Sequence, residues 1–189
     1  MEDRSPYSWI QPSKMGRMFT YVFVFTVIVI ISLQVLGAPL KTEAAPGGII
    51  SYEFSGDLPT AQAILVSWGE EGRVYAGLQL GLDYLFMPAY ALAIGLACVL
   101  VSNSFASLTP LLQRLGVWLA WGQWAAAGLD AVENYALIRL LLGSNNTIWP
   151  SIAYWSAAIK FGLVIVGLIY VIVGTARMLL ARSKSVEAF

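Results

Sequence analysis

Histidine is absent from all 189 residues of the chain, and cysteine occurs once, at Cys98. Without histidine the chain lacks the commonest metal ligand and the usual acid–base residue of enzymes. A single cysteine excludes an internal disulfide, a CxxC redox pair and a thiolate zinc site. We therefore expect no metal and no cofactor, and we interpret Cys98, which lies in an apolar run, as a small buried residue.

Charged residues are also scarce, at 12% of the chain against about a quarter in soluble domains. The net charge is zero and no basic run is present, so we expect no nucleic-acid partner. In contrast, 58% of the residues are hydrophobic and the mean hydropathy is +0.71. A surface so poor in charge suits lipid, which predicts an integral membrane protein with one membrane domain over residues 1–189.

Four apolar stretches are each long enough to cross a bilayer, which takes about 20 mainly apolar residues. The first, FTYVFVFTVIVIISLQVL, contains no charge and is longer than the apolar core of a signal peptide. We interpret it as a retained helix, with cleavage after it as the alternative. The pattern predicts an all-α fold, a four-helix transmembrane bundle with helices at about 17–38, 74–101, 115–142 and 148–176.

The segment between the first two predicted spans, residues 39–73, is the largest piece outside the membrane. Its IISYEF stretch, residues 49–54, fits a short strand or a chain that skims the membrane surface. Residues 59–68 fit a short amphipathic helix that starts near Asp57 and ends at Gly69. We expect its Ile64, Leu65 and Trp68 to face the bundle or the lipid, because their spacing places them on one side.

Lysine and arginine are distributed unevenly between the two sides of the predicted membrane. With the N-terminus inside, seven lie on the cytoplasmic side and three on the outer side, and Lys160 lies within the membrane. The positive-inside rule then predicts that the N-terminus and the C-terminus are both cytoplasmic and that residues 39–73 are extracytoplasmic.

Ionisable residues inside the predicted spans are rare and suggest a functional site by default. Counted from the cytoplasmic end of each helix, the polar residues all fall 15 to 18 residues up, so the four helices contribute to one layer. The candidate intramembrane polar site consists of Gln34, Asp83, Asp130, Glu133, Asn134 and Lys160.

Two interpretations of this layer stay open. In the structural one, Lys160 pairs with Asp130 or Glu133 and the network fixes the order of the helices. In the functional one, the layer is a membrane-embedded site for a ligand, an ion or a proton. Three carboxylates facing one lysine would be net negative, so either one carboxyl is protonated, or Arg73 or Arg139 reaches in, or a cation binds.

Two stretches carry a resemblance to known proteins. LDYLFMPAY, residues 82–90, and LDAVENYALIRLL, residues 129–141, resemble strings in small uncharacterised prokaryotic four-helix membrane proteins. The resemblance implies a membrane class and a prokaryotic plasma membrane. It implies no activity and assigns no role to any residue.

Together these patterns predict a non-enzymatic membrane component that binds a lipid, a small hydrophobic ligand or a membrane protein partner. The alternative is a membrane enzyme or a small transporter that uses Asp83, Asp130, Glu133 and Lys160. A pure scaffold would pair these groups internally and leave no cavity, whereas a binding protein, enzyme or carrier needs a cavity beside them. Four helices leave little room for a conduction path within one chain, so a transporter would require a homo-oligomer.

Overall fold

The computed structural model describes residues 5–105 and 110–186, and within them every regular element is helical. There are five α-helices in the described part: α1 (Pro12–Gly37), α2 (Ile49–Glu53), α3 (Leu58–Ser102), α4 (Pro110–Leu141) and α5 (Ile148–Val186). Two short 3₁₀ turns follow α1 and α3, at Ala38–Leu40 and Asn103–Phe105. The predicted all-α class is confirmed.

Four of the helices are long, and consecutive long helices pack against each other. α3 contacts α1, α4 and α5, and α4 also packs along α5. Three helical stretches are long and apolar enough to cross a membrane: Pro12–Leu40, Leu58–Phe105 and Ile148–Leu180. α4 is not among them, since its sequence is less apolar: it contains several glycines and tryptophans, Gln123 and the charged Asp130, Glu133 and Arg139.

Within this stretch Ile49–Glu53 form a helix, so the strand alternative is wrong. α2 follows Gly48, whose φ of 63° turns the chain into the helix, and the N–H of Phe54 donates to the carbonyl of Ile50 at its end. A strand needs a partner strand for its backbone groups, and the described part of the chain offers none. A helical turn satisfies those groups locally.

The amphipathic helix of the connecting segment is the first part of α3, residues 58–68, which we call the cap helix. The carboxylate of Asp57 accepts a hydrogen bond from the N–H of Thr60 at 2.8 Å, as an N-cap residue does. Gly69, at φ 61° and ψ −164°, interrupts the helix and separates the cap helix from residues 70–102. Pro88 lies within that longer part.

The molecule has two packed halves, which we call the upper half and the lower half. The upper half contains the connecting segment, the cap helix and the α4–α5 turn; there Trp68 donates from its indole nitrogen to the carbonyl of Leu40 at 2.8 Å. The lower half contains the N-terminal segment, the turn Asn103–Phe105 and the lower part of α5. There Tyr7 is 1% exposed and donates to the carbonyl of Ala91 at 3.0 Å.

Candidate functional site

Lys160 of α5 lies at the centre of a buried group of carboxylates, which we call the Lys160 cluster. Its Nζ is 2.8 Å from Oδ1 of Asp130 and donates a hydrogen bond to it. Nζ is also 2.8 Å from Oε2 of Glu133, without hydrogen-bond geometry, and 4.0 Å from Oε2 of Glu53. All four residues are at most 8% exposed, so water contributes little to their solvation.

α4 can present two of these carboxylates together because Asp130 and Glu133 are three residues apart on a helix. α5 runs beside α4 after a short turn at residues 142–147, which brings Lys160 to the same height. The Nζ of Lys160 also lies 4.8 Å from the centroid of the Phe161 ring, within cation–π range.

Glu53 reaches the cluster from α2, outside the long helices, and two aromatic neighbours hold it there. The hydroxyl of Tyr52 donates to the carbonyl of Leu137 at 3.2 Å, and its ring meets that of Trp68 edge to face. On the other side Phe54 stacks on Phe161, with ring centroids 5.8 Å apart. The two anchors fix α2 over the cluster.

Burial raises the pKa of Glu53 above the usual carboxyl range, although the neighbouring Lys160 opposes the shift. Desolvation is the larger of the two effects. A carboxyl in this position is therefore poised to hold a proton or to bind a positively charged group.

Asp83 of α3 lies beside the cluster and has its own partner. Its Oδ2 accepts a hydrogen bond from Nδ2 of Asn134 at 2.8 Å, and the same amide nitrogen donates to the carbonyl of Leu80 at 3.3 Å. Asn134 therefore ties α4 to α3 and orients the Asp83 carboxylate. Only one oxygen of that carboxylate is used in this bond.

A cavity of about 490 Å³ adjoins these polar groups. Pockets that take drug-sized ligands measure about 300–1,000 Å³, so there is room for one small molecule or one hydrocarbon chain. All five helices contribute to its wall, whose ionisable and amide groups include Glu53, Gln79, Asp83, Asp130, Asn134 and Lys160.

The cavity is polar at one end and apolar at the other. Along α3 its wall runs from Gln79 to Ile94, a span of about 22 Å at 1.5 Å per residue. The charged groups lie in the upper part, near Asp83 and Lys160. Below them the wall consists mainly of apolar side chains, including Phe23, Val27, Phe86, Ala93, Ile94, Val164 and Leu168.

Exposed lining residues indicate that the cavity opens along α1 and α5. Among the lining residues, Val27 and Ile30 of α1 are 36% and 39% exposed, and Leu168 of α5 is 42% exposed. α1 packs mainly on α3 rather than on α5. A ligand would thus enter sideways between two apolar helices.

Several buried polar atoms at the site have no hydrogen-bond partner within the described residues. They include the hydroxyl of Tyr90, which is 5% exposed and lines the cavity, and Oε2 of Glu53. Side chains on a helix tilt toward its N-terminus, so Tyr90 extends upward along α3, toward the polar end. Unmet buried groups of this kind call for an explanation, such as a bound molecule.

The structure brings together five of the six residues of the predicted polar site; the sixth, Gln34, is exposed at the cavity wall. Neither arginine considered above completes the charge balance. Arg73 donates from Nε to the carbonyl of Leu65 at 3.2 Å, and the guanidinium of Arg139 lies over the Trp149 ring at 6.0 Å.

The three residues proposed for the cap face, Ile64, Leu65 and Trp68, are 1%, 6% and 6% exposed and pack into the upper core. The cap helix therefore closes the upper end of the molecule rather than lying free of it. Trp68 also contacts Tyr52 and thereby supports the position of Glu53.

Sequence reasoning missed three members of the site: Glu53, Gln79 and Tyr90. Gln79 is one helical turn from Asp83, so its spacing could have indicated it. Tyr90 shares that side of α3, but a tyrosine in an apolar run gives no distinct signal. Glu53 lies in a connecting segment, where no periodicity predicts which way a side chain points.

Among residues 5–105 and 110–186, no group of three or more histidine, cysteine or acidic side chains has the arrangement of a metal site. The chain matches no protein-family model, no curated protein and no solved structure. A function can therefore be inferred only from the geometry of the site.

Proposed function

We propose that the protein is an integral membrane protein whose four long helices all cross the bilayer, and that it binds a small single-chain amphiphile. The ligand would place its polar head at the Lys160 cluster and its apolar chain along the lower wall of the cavity. The observation that carries the proposal is one cavity that joins buried charged groups to an apolar wall of this length.

Membrane insertion is supported by the outward surfaces of α1 and α5. In their most apolar stretches only 17% and 28% of the residues are buried within the protein. Ile31 and Val35 of α1 are 58% and 68% exposed, and Ile172 of α5 is 66% exposed. Apolar patches this extensive need lipid or a protein partner to cover them.

α4 fits the same membrane despite its charges, because its two carboxylates point inward and the exposed Arg139 lies near its upper end. Asp130 and Glu133 are 2% and 0% exposed, whereas Trp121, Val132 and Tyr135 on the outer side are about half exposed. Intramembrane ionisable residues generally face the interior of a bundle or a cavity. With 32 residues, α4 is also longer than the roughly 20 that a crossing requires.

The orientation follows from the basic residues at the lower end. Lys14, Arg17 and Arg177 all belong to that half, and Arg177 donates to the carbonyl of Ser104 at 3.3 Å. By the positive-inside rule this end is cytoplasmic. The polar head of the ligand would then lie in the outer part of the bilayer.

Cysteine labelling in intact cells tests the topology. In a Cys98→Ala background, single cysteines at Ser5, Ser104 and Ser185 should resist a membrane-impermeant thiol reagent, whereas Glu43→Cys in the outer segment should react. The protein should label at all four positions once the membrane is permeabilised. Labelling of the Ser104 position alone among the three in intact cells would contradict the four-helix topology.

Binding of radiolabelled 1-dodecanol to the protein in lipid nanodiscs tests the ligand site. Wild-type protein should bind it saturably. Ile30→Trp should fill the cavity mouth and weaken binding at least about tenfold, a loss of ~1.4 kcal/mol. The matched control is Ile28→Trp on the same helix, at a position 56% exposed and outside the cavity wall.

If no single-chain amphiphile binds saturably, or if Ile30→Trp and Ile28→Trp weaken 1-dodecanol binding equally, the cavity is not a ligand site. Because both variants carry the same large residue on the same lipid-facing helix, a difference between them reports on the cavity rather than on α1 itself.

A further inference from the structure

Building on the proposed ligand site, we propose that the bound head group is a cation, an alkylammonium, held between Glu53 and Asp83. The ligand class would therefore be a single-chain amine. Three observations support it: an excess of carboxylates over cations, polar atoms without partners at the cavity, and aromatic and apolar surroundings for the head group.

The first observation is the balance of charge. Three carboxyl groups line the upper part of the cavity, Glu53, Asp83 and Asp130, and a fourth, Glu133, lies against Lys160. Lys160 is the one cation among the described residues that line the cavity. Lys160 is engaged at 2.8 Å by the two α4 carboxylates. This pairing leaves Glu53, at 4.0 Å, and Asp83 without a close cation.

Neither nearby arginine compensates for them, since Arg73 bonds to a backbone carbonyl and Arg139 lies over a tryptophan ring. A carboxylate without a partner in a low-dielectric interior is costly and must gain a proton or a cation. If the two carboxyls hold protons, a neutral head group should bind as well as a charged one. If they need a cation, a positively charged head group should bind best.

The second observation concerns atoms that lack partners. Glu53 and Tyr90 both line the cavity, and neither Oε2 of Glu53 nor the hydroxyl of Tyr90 has a hydrogen bond of ordinary length among the described residues, although that hydroxyl lies near Asp130. An ammonium has three donors and no acceptor. It can donate to Glu53, to the free oxygen of Asp83 and to the oxygen of Tyr90.

The third observation is the surroundings of the head group. Phe86 and Phe161 line the cavity near Asp83 and Lys160, and aromatic faces attract organic cations. A bare metal ion would instead need several oxygen ligands. The apolar wall below favours a cation that carries a hydrocarbon chain.

The test compares the affinities of three ligands that share the same twelve-carbon hydrocarbon chain and differ in the head group. Wild-type protein in phosphatidylcholine nanodiscs is titrated at neutral pH with dodecylamine, 1-dodecanol and dodecanoate, each radiolabelled. We expect dodecylamine to bind at least about tenfold more tightly than 1-dodecanol, the size of one charge-assisted hydrogen bond. Dodecanoate should bind most weakly, because the site is acidic.

Variants then test whether Glu53 and Asp83 cause the preference for the amine over the alcohol. Glu53→Gln and Asp83→Asn should each reduce the preference for the amine over the alcohol several-fold while 1-dodecanol still binds, which shows that the site is folded. Glu43→Gln is the matched control, since it removes the same charge from an exposed position of the same segment. It should leave all three affinities unchanged.

The outcomes separate this inference from the proposed function. Equal binding of amine and alcohol would overturn the cationic head group and leave the ligand site standing, with the carboxyls protonated. Tighter binding of dodecanoate, or an amine preference that survives both Glu53→Gln and Asp83→Asn, would also overturn it. If no probe binds saturably, both proposals fail.

Discussion

The two halves of the molecule are packed in opposite ways. In the lower half the helices approach so closely that some positions admit only glycine. A Cβ at Gly116 would lie 2.9 Å from the backbone oxygen of Cys98, and one at Gly174 would lie 2.6 Å from Cβ of Val101. The upper half, by contrast, holds the polar end of a cavity of about 490 Å³ and most of the buried charge.

The contrast indicates that the lower half mainly holds the helices together, whereas the upper half provides the candidate binding site. Lipid provides no hydrophobic drive for helix association, so close contact at small residues is a main source of stability within a membrane. The lower half has these contacts. The upper half gives up volume and buries carboxylates at an energetic cost, which is the pattern expected of a functional site.

The largest expected effect is in the upper half, from Lys160→Met. The variant leaves three carboxylates near Lys160 without their cation, and breaking a buried ion pair from one side costs about 3–5 kcal/mol. We expect a clearly lower melting temperature in detergent. Adding Glu133→Gln or Asp130→Asn should recover part of the loss. A variant that melts like wild type would show that the cluster contributes nothing to stability.

In the lower half, Gly116→Ala should cost about 1–3 kcal/mol. The added methyl would meet Ser102 and the backbone of α3 at less than 3.0 Å, and backbone cannot move aside cheaply. Gly128→Ala on the same helix is the control, because nothing lies within 4 Å of its Cβ. The measurement is the unfolding free energy in mixed micelles. Equal effects at the two positions would mean that the lower half is not tightly packed.

A smaller effect is expected from Tyr52→Phe, which removes the hydrogen bond that anchors α2. Tyr52 is fully buried and donates to Leu137, so the loss should be about 1 kcal/mol. Tyr21→Phe, at a position 67% exposed, is the control. The loss of binding free energy for dodecylamine should exceed the loss of unfolding free energy, because α2 carries Glu53. Unchanged binding would argue against the position assigned to Glu53.

The smallest effect should come from Asp57→Ala at the start of the cap helix. The N–H of Thr60 holds the pKa of Asp57 below its ordinary value, so the carboxylate is stabilised by folding. A lowered pKa contributes stability above the ordinary value and loses it as the pH falls through the folded value. The small difference between wild type and Asp57→Ala should therefore begin to shrink as the pH falls below about 3.9 and disappear once the pH is below the folded pKa.

Asp57→Asn is the control for this measurement, because asparagine also caps helices and does not titrate. Its stability relative to Asp57→Ala should be independent of pH. If the acid dependence persists in Asp57→Asn, another group is responsible for it.

The sequence alone predicted the helices well, because helix length and apolar content are local properties. α5 begins at Ile148, the residue predicted for its start, and the cap helix ends at Gly69. Residues 49–54 were assigned less well, since five residues carry too little periodicity to separate a strand from a helical turn. The predicted end of the last span, residue 176, also fell short of Val186, because polar residues can continue a helix beyond the apolar run.

The polar layer could be predicted in part, since helix rise converts residue number into height. This reasoning placed Asp83, Asp130 and Lys160 at similar levels. It could not predict that Gln34 would be exposed at the cavity wall rather than buried in the cluster, because the rotation of α1 depends on its packing against α3. Nor could it predict which arginines would reach inward.

By itself, the sequence determined that the chain is helical and poor in charge, and that ionisable residues lie at one level of several apolar helices. Only the tertiary structure decided that Glu53 joins them and that a cavity opens beside them. The reason is physical: helix periodicity sets depth and face along one element, whereas the position of α2 and the gap between α1 and α5 depend on contacts between distant elements. The candidate ligand site consists of those contacts.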